Sequence, residues 1–285
     1  MSGCAGAAGA DETTGPAYEM PATVAEAPFD PAALEGTSDA GIDASHAAEG
    51  YVCAVGSGES RLKIQIANGD LARTYDLSAD GEPHAYPLVL GDGAYTLRIM
   101  RNTSGDRYVE VFRTSVDVRM VSEFEPYLRP SYYCDYDAAS DCVRLARELA
   151  SGAENEGGVV RAVYTYLADA ISYDTDKAAE LAGATGYVSH PDETLAAGSG
   201  ICFDYATLAA AMLRSLGIPC RIVTGTVYPD GVYHAWNMVY IDGSWHTAEV
   251  SVDADTWSRI DTTFASTGTL SSSDGTLEYE ERHVY

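Results

Sequence analysis

Two residues in this chain have the type and setting for nucleophilic chemistry, Cys202 and His234. Cys202 follows Gly198-Ser199-Gly200-Ile201 and opens an apolar run, Phe203, Ala206, Ala209, Ala210, Leu213 and Leu216, closed by Gly217-Ile218-Pro219. That spacing predicts a buried helix with Cys202 in its first turn, where unpaired amide hydrogens and the positive helix end favour a thiolate. The glycines before it let a substrate approach the main chain closely. His234 opens a strand further on. A thiol followed by an imidazole can carry acyl transfer through a covalent intermediate, the base taking the proton and later returning it to the leaving group. Alone, neither residue is specific, because a free cysteine is more often a small core residue.

The segment around His234 adds a third group. Cys220 to Tyr228 reads as a strand, Pro229-Asp230-Gly231 as a turn and His234 to Ile241 as the next strand. Asp242-Gly243 is a two-residue hairpin signal, and Ser244 to Val252 returns. With that turn Ile241 faces Ser244, Trp236 faces Glu249 and His234 faces Ser251. His234, Trp236 and Met238 then share one sheet face with Glu249, Ser251 and Asp253. Glu249 lies on one diagonal of His234 and Asp253 on the other, so either carboxylate could orient the imidazole.

The elements that must position these groups come before them. Ala138 to Ala150 has helical periodicity, with a start signal at Asp137 or Ser140. Val159, Val160, Val163, Tyr164, Leu167 and Ile171 make an i, i+3, i+4 stripe, predicting an amphipathic helix over 158–171. A long loop then runs to Gly200, with a short helical piece around 175–181. Upstream, Leu62-Ile64-Ile66, Tyr95-Leu97-Ile99 and Val109 to Met120 alternate with polar residues, between turn signals such as Asn68-Gly69-Asp70 and Gly91-Asp92-Gly93. These are the marks of a small β-sandwich, expected to act as a spacer or docking module.

The stretch from Gly198 to Glu249 resembles the transglutaminase-like superfamily. The likeness rests on Gly200-Ile201-Cys202-Phe203-Asp204-Tyr205-Ala206, Leu213-Arg214-Ser215-Leu216-Gly217-Ile218-Pro219, His234-Ala235-Trp236-Asn237 and Trp245 with Glu249. Ile171-Ser172-Tyr173-Asp174 looks like the family's upstream Tyr-Asp element, so the resemblance spans roughly 127–255. It implies a papain-like core in which Cys202 is the nucleophile, His234 the base and position 249 the orienting acid. The family usually has Asp at that position, and this chain has Glu249. The expected fold class is α+β, with residues 1–45 a flexible tether, 46–125 the all-β sandwich and 126–285 the transglutaminase-like domain. The expected function is a cysteine-dependent amide hydrolase or acyltransferase acting on peptide or protein substrates. The alternative is a catalytically silent fold serving as a binding module, which the glutamate favours.

Composition bounds the partners. The 285 residues carry 43 Asp+Glu against 17 Lys+Arg, a formal net charge of −26, so phosphate backbones and anionic headgroups are repelled. Nucleic acid is therefore not an expected partner. No run approaches the ~20 apolar residues of a membrane span. No CxxC or HxxxH spacing points to a metal, and no phosphate-binding glycine loop to a nucleotide, so no cofactor is expected. Ser2-Gly3-Cys4 resembles the end of a bacterial lipoprotein box, with Cys4 as the lipidated residue. The Ala/Gly/Pro-rich segment after it suits a tether, and the expected location is the outer cell surface, with membrane contact only through Cys4. Export would permit disulfides, and Cys134 with Cys142 is the one pair suggested, while Cys53 and Cys220 read as core.

Overall fold

Residues 15–228, 232–248 and 278–285 are described by a computed structural model of the chain. The N-terminal half contains β1 (Leu34–Gly36), β2 (Ala40–Asp43), β3 (Tyr51–Ser57), β4 (Leu62–Asn68), β5 (Leu71–Leu77), β6 (Asp80–Pro87), β7 (Gly93–Ser104) and β8 (Arg107–Val118). They form two antiparallel sheets, ordered β1-β2-β3-β6 and β5-β4-β7-β8. In β4, Leu62, Ile64 and Ile66 are buried while Lys63 and Gln65 point outward. Inward residues of both sheets, among them Ile42, Val52, Tyr86, Ile64 and Leu97, share one core, which makes the expected sandwich.

Two of these strands correct the expected tether over 1–45. β1 and β2 come from residues 34–43, and Ala40, Ile42 and Asp43 are buried. Strands of three and four residues carry too little alternation to be read from sequence. Their crossing is close, since a Cβ at Gly36 would collide with the main-chain oxygen of Ala40. Earlier residues are also fastened, the Tyr18 hydroxyl donating to the Leu216 carbonyl at 3.2 Å and Tyr51 to that of Pro28 at 3.0 Å. Residues 1–14, Cys4 among them, lie outside the described residues.

The C-terminal half contains α1 (Asp141–Ala150), α2 (Glu156–Ala170), β9 (Ser172–Tyr173), α3 (Thr175–Glu180), α4 (Pro191–Ala197), β10 (Ser199–Gly200), α5 (Cys202–Ser215), β11 (Cys220–Tyr228), β12 (Val232–Ile241), β13 (Ser244–Ala248) and β14 (Glu278–Val284). Every α5 residue from Asp204 to Ser215 is buried, so α5 is the central helix of this half. α1, α2 and α4 pack against it, and so do β11 and β12 of an antiparallel sheet ordered β13-β12-β11-β14. The fold is α+β, with a β-rich N-terminal region.

α4 and β14 were not expected. α4 has ordinary boundary signals, Pro191 in its first turn and Gly198 left-handed at its end (φ 62°), but only seven residues between them. β14 reads Glu-Tyr-Glu-Glu-Arg-His-Val, too charged to be read as a strand, and is held by pairing with β11. Tyr285, which follows it, packs on Tyr75 and Tyr133 with ring centroids 5.8 and 4.6 Å away, fastening the sheet to the sandwich. Cys134 and Cys142 are both fully buried free thiols, so the suggested disulfide is not formed in the structure.

Candidate functional site

Cys202 is the first residue of α5 and is partly exposed. Its placement begins with the two residues before it. Ser199 and Gly200 of β10 pair in parallel with Ser172 and Tyr173 of β9, and the Asp174 amide donates to the Gly200 carbonyl at 2.9 Å. The upstream Tyr-Asp element thus grips the strand that delivers the thiol. The Tyr173 phenol is pushed above its ordinary pKa, by burial first and then by the neighbouring Cys202 and Asp204.

Asp204, two residues on, secures the turn from within. It is fully buried, and its carboxylate accepts from the Ile201 amide at 2.9 Å, from Lys177 Nζ at 2.7 Å and from the Tyr187 hydroxyl at 2.5 Å. A carboxylate in the first turn satisfies an otherwise orphaned amide and sits at the favourable end of the helix dipole. Lys177 is itself delivered by α3, whose N-cap Asp174 accepts from the Lys177 amide at 2.9 Å. Gly200 is required because a Cβ there would sit 2.6 Å from Cβ of Asp204. Sequence reasoning quoted Asp204 and Tyr173-Asp174 only as motif letters and missed Lys177 and Tyr187. A carboxylate two residues into an otherwise apolar helix was the available signal.

His234 lies on β12, opposite Gly225 of β11. The strand is registered on the helix by Asn237, whose amide nitrogen donates to the Ala206 carbonyl at 2.9 Å and to that of Arg221 at 3.1 Å, while its oxygen accepts from Tyr164 at 2.8 Å. From that anchor, three strand residues lead back about 10 Å to His234. Four helical residues lead back about 6 Å from Ala206 to Cys202. β12 runs in the same sense as α5: Arg214 near the helix end binds the carbonyl of Cys220, which pairs with Val239, and Ala206 nearer the helix start binds Asn237. The helix start and the strand start therefore lie at the same end of the domain.

The strand faces are distinct. Ala235, Val239 and Ile241 join the core around α5, whereas Trp236 packs on the other face with Val223, Tyr127 and Val284. The His234 ring stacks against Trp236, centroids 6.5 Å apart and planes at 17°, as expected for residues sharing a face. Gly225 makes room there, since a Cβ would lie 3.0 Å from the Trp236 ring and collide with the Glu280 main-chain oxygen. β14 bulges at this point, its register against β11 shifting between Thr224 and Gly225.

The expected hairpin is present. Ile241 pairs with Ser244 and Asn237 with Ala248, around Asp242 at φ 52° and Gly243 at φ 78°. Trp245 of β13 stacks on the Arg221 guanidinium at 3.7 Å, with Tyr127 on the same cation at 4.6 Å. Glu249 and Asp253, the two candidate acids, lie outside the described residues. Among the described residues no cluster of three or more His, Cys, Asp or Glu side chains is placed to hold a metal.

The other described thiols are buried, whereas Cys202 is partly exposed. Cys220 is buried in β11 and its pKa is pushed up to about 12, by burial above all. Cys134 and Cys53 are raised to about 11 and about 12 for the same reason. Arg214, in the last turn of α5, is buried and donates to the main-chain oxygens of Cys220 (2.9 Å), Arg129 (3.1 Å) and Tyr285 (2.8 Å), locking the far end of the helix.

Comparison with known proteins places this half of the chain. Residues 143–261 match the Transglutaminase-like superfamily. Mouse kyphoscoliosis peptidase is 29% identical over 131 residues, which cover 42% of this chain and 19% of that protein. An uncharacterized protein of Mycobacterium leprae is 27% identical over 137 residues, 45% of this chain and 46% of its own length. The chain thus spans less than half the length of these curated relatives. Red sea bream transglutaminase aligns over 74% of this chain and 49% of its own at 11% identity, with a TM-score of 0.33. A transglutaminase-like superfamily domain therefore spans residues 143–261 of the chain.

Proposed function

We propose that this domain is a cysteine-dependent amide hydrolase or acyltransferase acting on peptide or protein substrates. The observation that carries the reading is Cys202 itself: a partly exposed thiol at the first position of a buried helix, held by the Asp204 network, at the domain end where β12 begins. In the proposed reaction the Cys202 sulfur bonds to the carbonyl carbon of an amide, and His234 gives a proton to the departing amine. Water then releases the acid, or an amine accepts the acyl group, and the thiol is regenerated. Main-chain amides of the first turn of α5 supply donors for the oxyanion. Glu249 is the proposed orienting acid, chosen over Asp253 by its spacing from Trp245. Its extra methylene favours the second reading, a silent binding module.

Labelling with iodoacetamide at pH 7 separates the two. The reading expects Cys202 to react much faster than the buried Cys220, and His234→Gln to suppress that reaction at pH 7 more than at pH 9. Equal, slow labelling of both thiols refutes it. The location belongs to the same proposal: acylation at Cys4 on the outer cell surface, tested by metabolic labelling with palmitate that Cys4→Ala abolishes. Among the described residues, no helix is long and apolar enough to cross a membrane.

A further inference from the structure

A buried carboxylate in the first turn of α5 works against a thiolate at Cys202. Asp204 is fully buried, and its Oδ2 accepts from the amide of Ile201, the residue before Cys202, at 2.9 Å. From that oxygen, through one peptide link and the cysteine side chain, the sulfur is at most about 11 Å away in any rotamer. The helix start favours a thiolate through its free amides and its dipole. A fixed negative charge at that distance opposes it, changing the thiolate population about tenfold at an effective dielectric constant of about 20.

Hydrogen bonding by itself does not require Lys177. The Ile201 amide already occupies Oδ2 of Asp204, and the Tyr187 hydroxyl occupies Oδ1. What Lys177 adds, 2.7 Å from Oδ2, is a positive charge. It comes from a separate element, α3, and its Nζ also lies over the Tyr187 ring, 5.1 Å from the centroid. Burial works against this ammonium, but Asp204 and Tyr187 outweigh it and hold its pKa above 10.5, so the cation persists through the neutral range. Among the described residues, Lys177 is the one cation paired with Asp204.

We infer that Lys177 is a positioning residue whose charge sets the reactivity of Cys202: it cancels the buried Asp204 carboxylate that otherwise opposes the forming thiolate. It acts through Asp204 and the Ile201 amide and needs no contact with the sulfur. The inference rests on the acyl-transfer reading above and names what controls the nucleophile of that site.

The test uses the full chain and iodoacetamide, with alkylation of Cys202 and Cys220 followed by mass spectrometry. The quantity read is the Cys202 rate at pH 5 divided by that at pH 9. Lys177→Gln keeps a hydrogen-bond donor but no charge. It should lower the ratio about fivefold, less than tenfold because Lys177 is 32% exposed and solvent screens it. Lys177→Arg should keep the wild-type ratio. Asp204→Asn should raise it, and the double variant Lys177→Gln/Asp204→Asn should return it to wild type. A network that only holds the fold lowers the ratio in every variant. Cys220 is buried in β11 and reports unfolding in the same spectra; if Lys177→Gln exposes it, the sign of the Asp204→Asn change decides. A ratio unchanged in Lys177→Gln, or one that falls in Asp204→Asn, overturns the inference and leaves the acyl-transfer reading standing. Labelling of Cys202 no faster than that of Cys220 in the wild-type chain overturns that reading, and the role of Lys177 with it.

Discussion

Removing the charge of Asp204 tests whether the buried network, rather than the helix alone, holds the nucleophile's turn. Three donors converge on this carboxylate: the Ile201 amide and Lys177 Nζ on one oxygen, the Tyr187 hydroxyl on the other. In Asp204→Asn the remaining oxygen can still accept from Ile201 and Lys177, and Tyr187 can turn its hydroxyl to accept from the new amide. The Tyr187 O–H then gives up its acceptor and turns to solvent, the Ile201 bond becomes a neutral one of about half the strength, and Lys177 keeps its bond but loses its counter-ion. At about 1.5–3 kcal/mol for each charged bond, the loss is about 2–4 kcal/mol. Lys177 is 32% exposed, so screening by solvent brings the expected loss to about 2–3 kcal/mol. Asp204→Ala leaves the Ile201 amide and Tyr187 hydroxyl unpaired and should cost about 3–5 kcal/mol, the range for breaking a buried pair. Urea unfolding followed by tryptophan fluorescence is the assay. All three tryptophans, Trp236, Trp245 and Trp257, lie in the C-terminal half, so the signal reports this unit alone. A double cycle with Lys177→Met should show coupling between the two sites. Asp204→Asn within about 0.5 kcal/mol of wild type, or no coupling to Lys177, would refute the argument.

Three further outcomes are expected. The amides of Asp141 and Cys142 at the start of α1 donate to the Asp192 carboxylate of α4 at 2.9 and 2.8 Å, so Asp192→Ala should cost about 1 kcal/mol in urea melts and Ser140→Ala less. Burial raises the Asp192 pKa, but the hydrogen bonds from Cys142 and Asp141 outweigh it and hold the group below 3.8; its contribution is present above pH 3.8 and is lost as pH falls through the folded value. His283 is depressed below 6.5, by burial first and then by Arg73, Arg282 and Lys63. The unfolded chain therefore takes up this proton first, stability should fall as pH drops below 6.5, and His283→Gln should flatten that part of the profile in thermal melts. Gly225→Ala should push β14 off β11, seen as faster amide exchange at Thr224 to Tyr228 with β12–β13 unaffected; unchanged exchange would show that the bulge absorbs a side chain.

The sequence alone determined the parts of this molecule that are governed by neighbours in the chain. The apolar spacing from Phe203 to Leu216 defines α5 to within a residue, because a helix buried on all sides needs only its own side chains and a stop at Gly217-Ile218-Pro219. The pairing of Ile241 with Ser244 follows from Asp242-Gly243, since a two-residue turn with positive φ at both positions leaves one register. Tertiary structure decided whatever joins distant segments. α1 has Ser140 at its N-cap, but its amides are satisfied by Asp192, 50 residues further on from Cys142. Lys177 and Tyr187 have no local pattern that announces a contact with Asp204, because ion pairs and hydroxyl bonds are fixed by where α3 and its loop are packed. β14 is a strand only because the edge of β11 offers unpaired main-chain groups, and the same packing brings Phe203 and Tyr285, separate apolar letters in the sequence, into edge-on contact. Periodicity reports the face an element buries; the partner that covers that face depends on chain crossings that sequence distance does not encode.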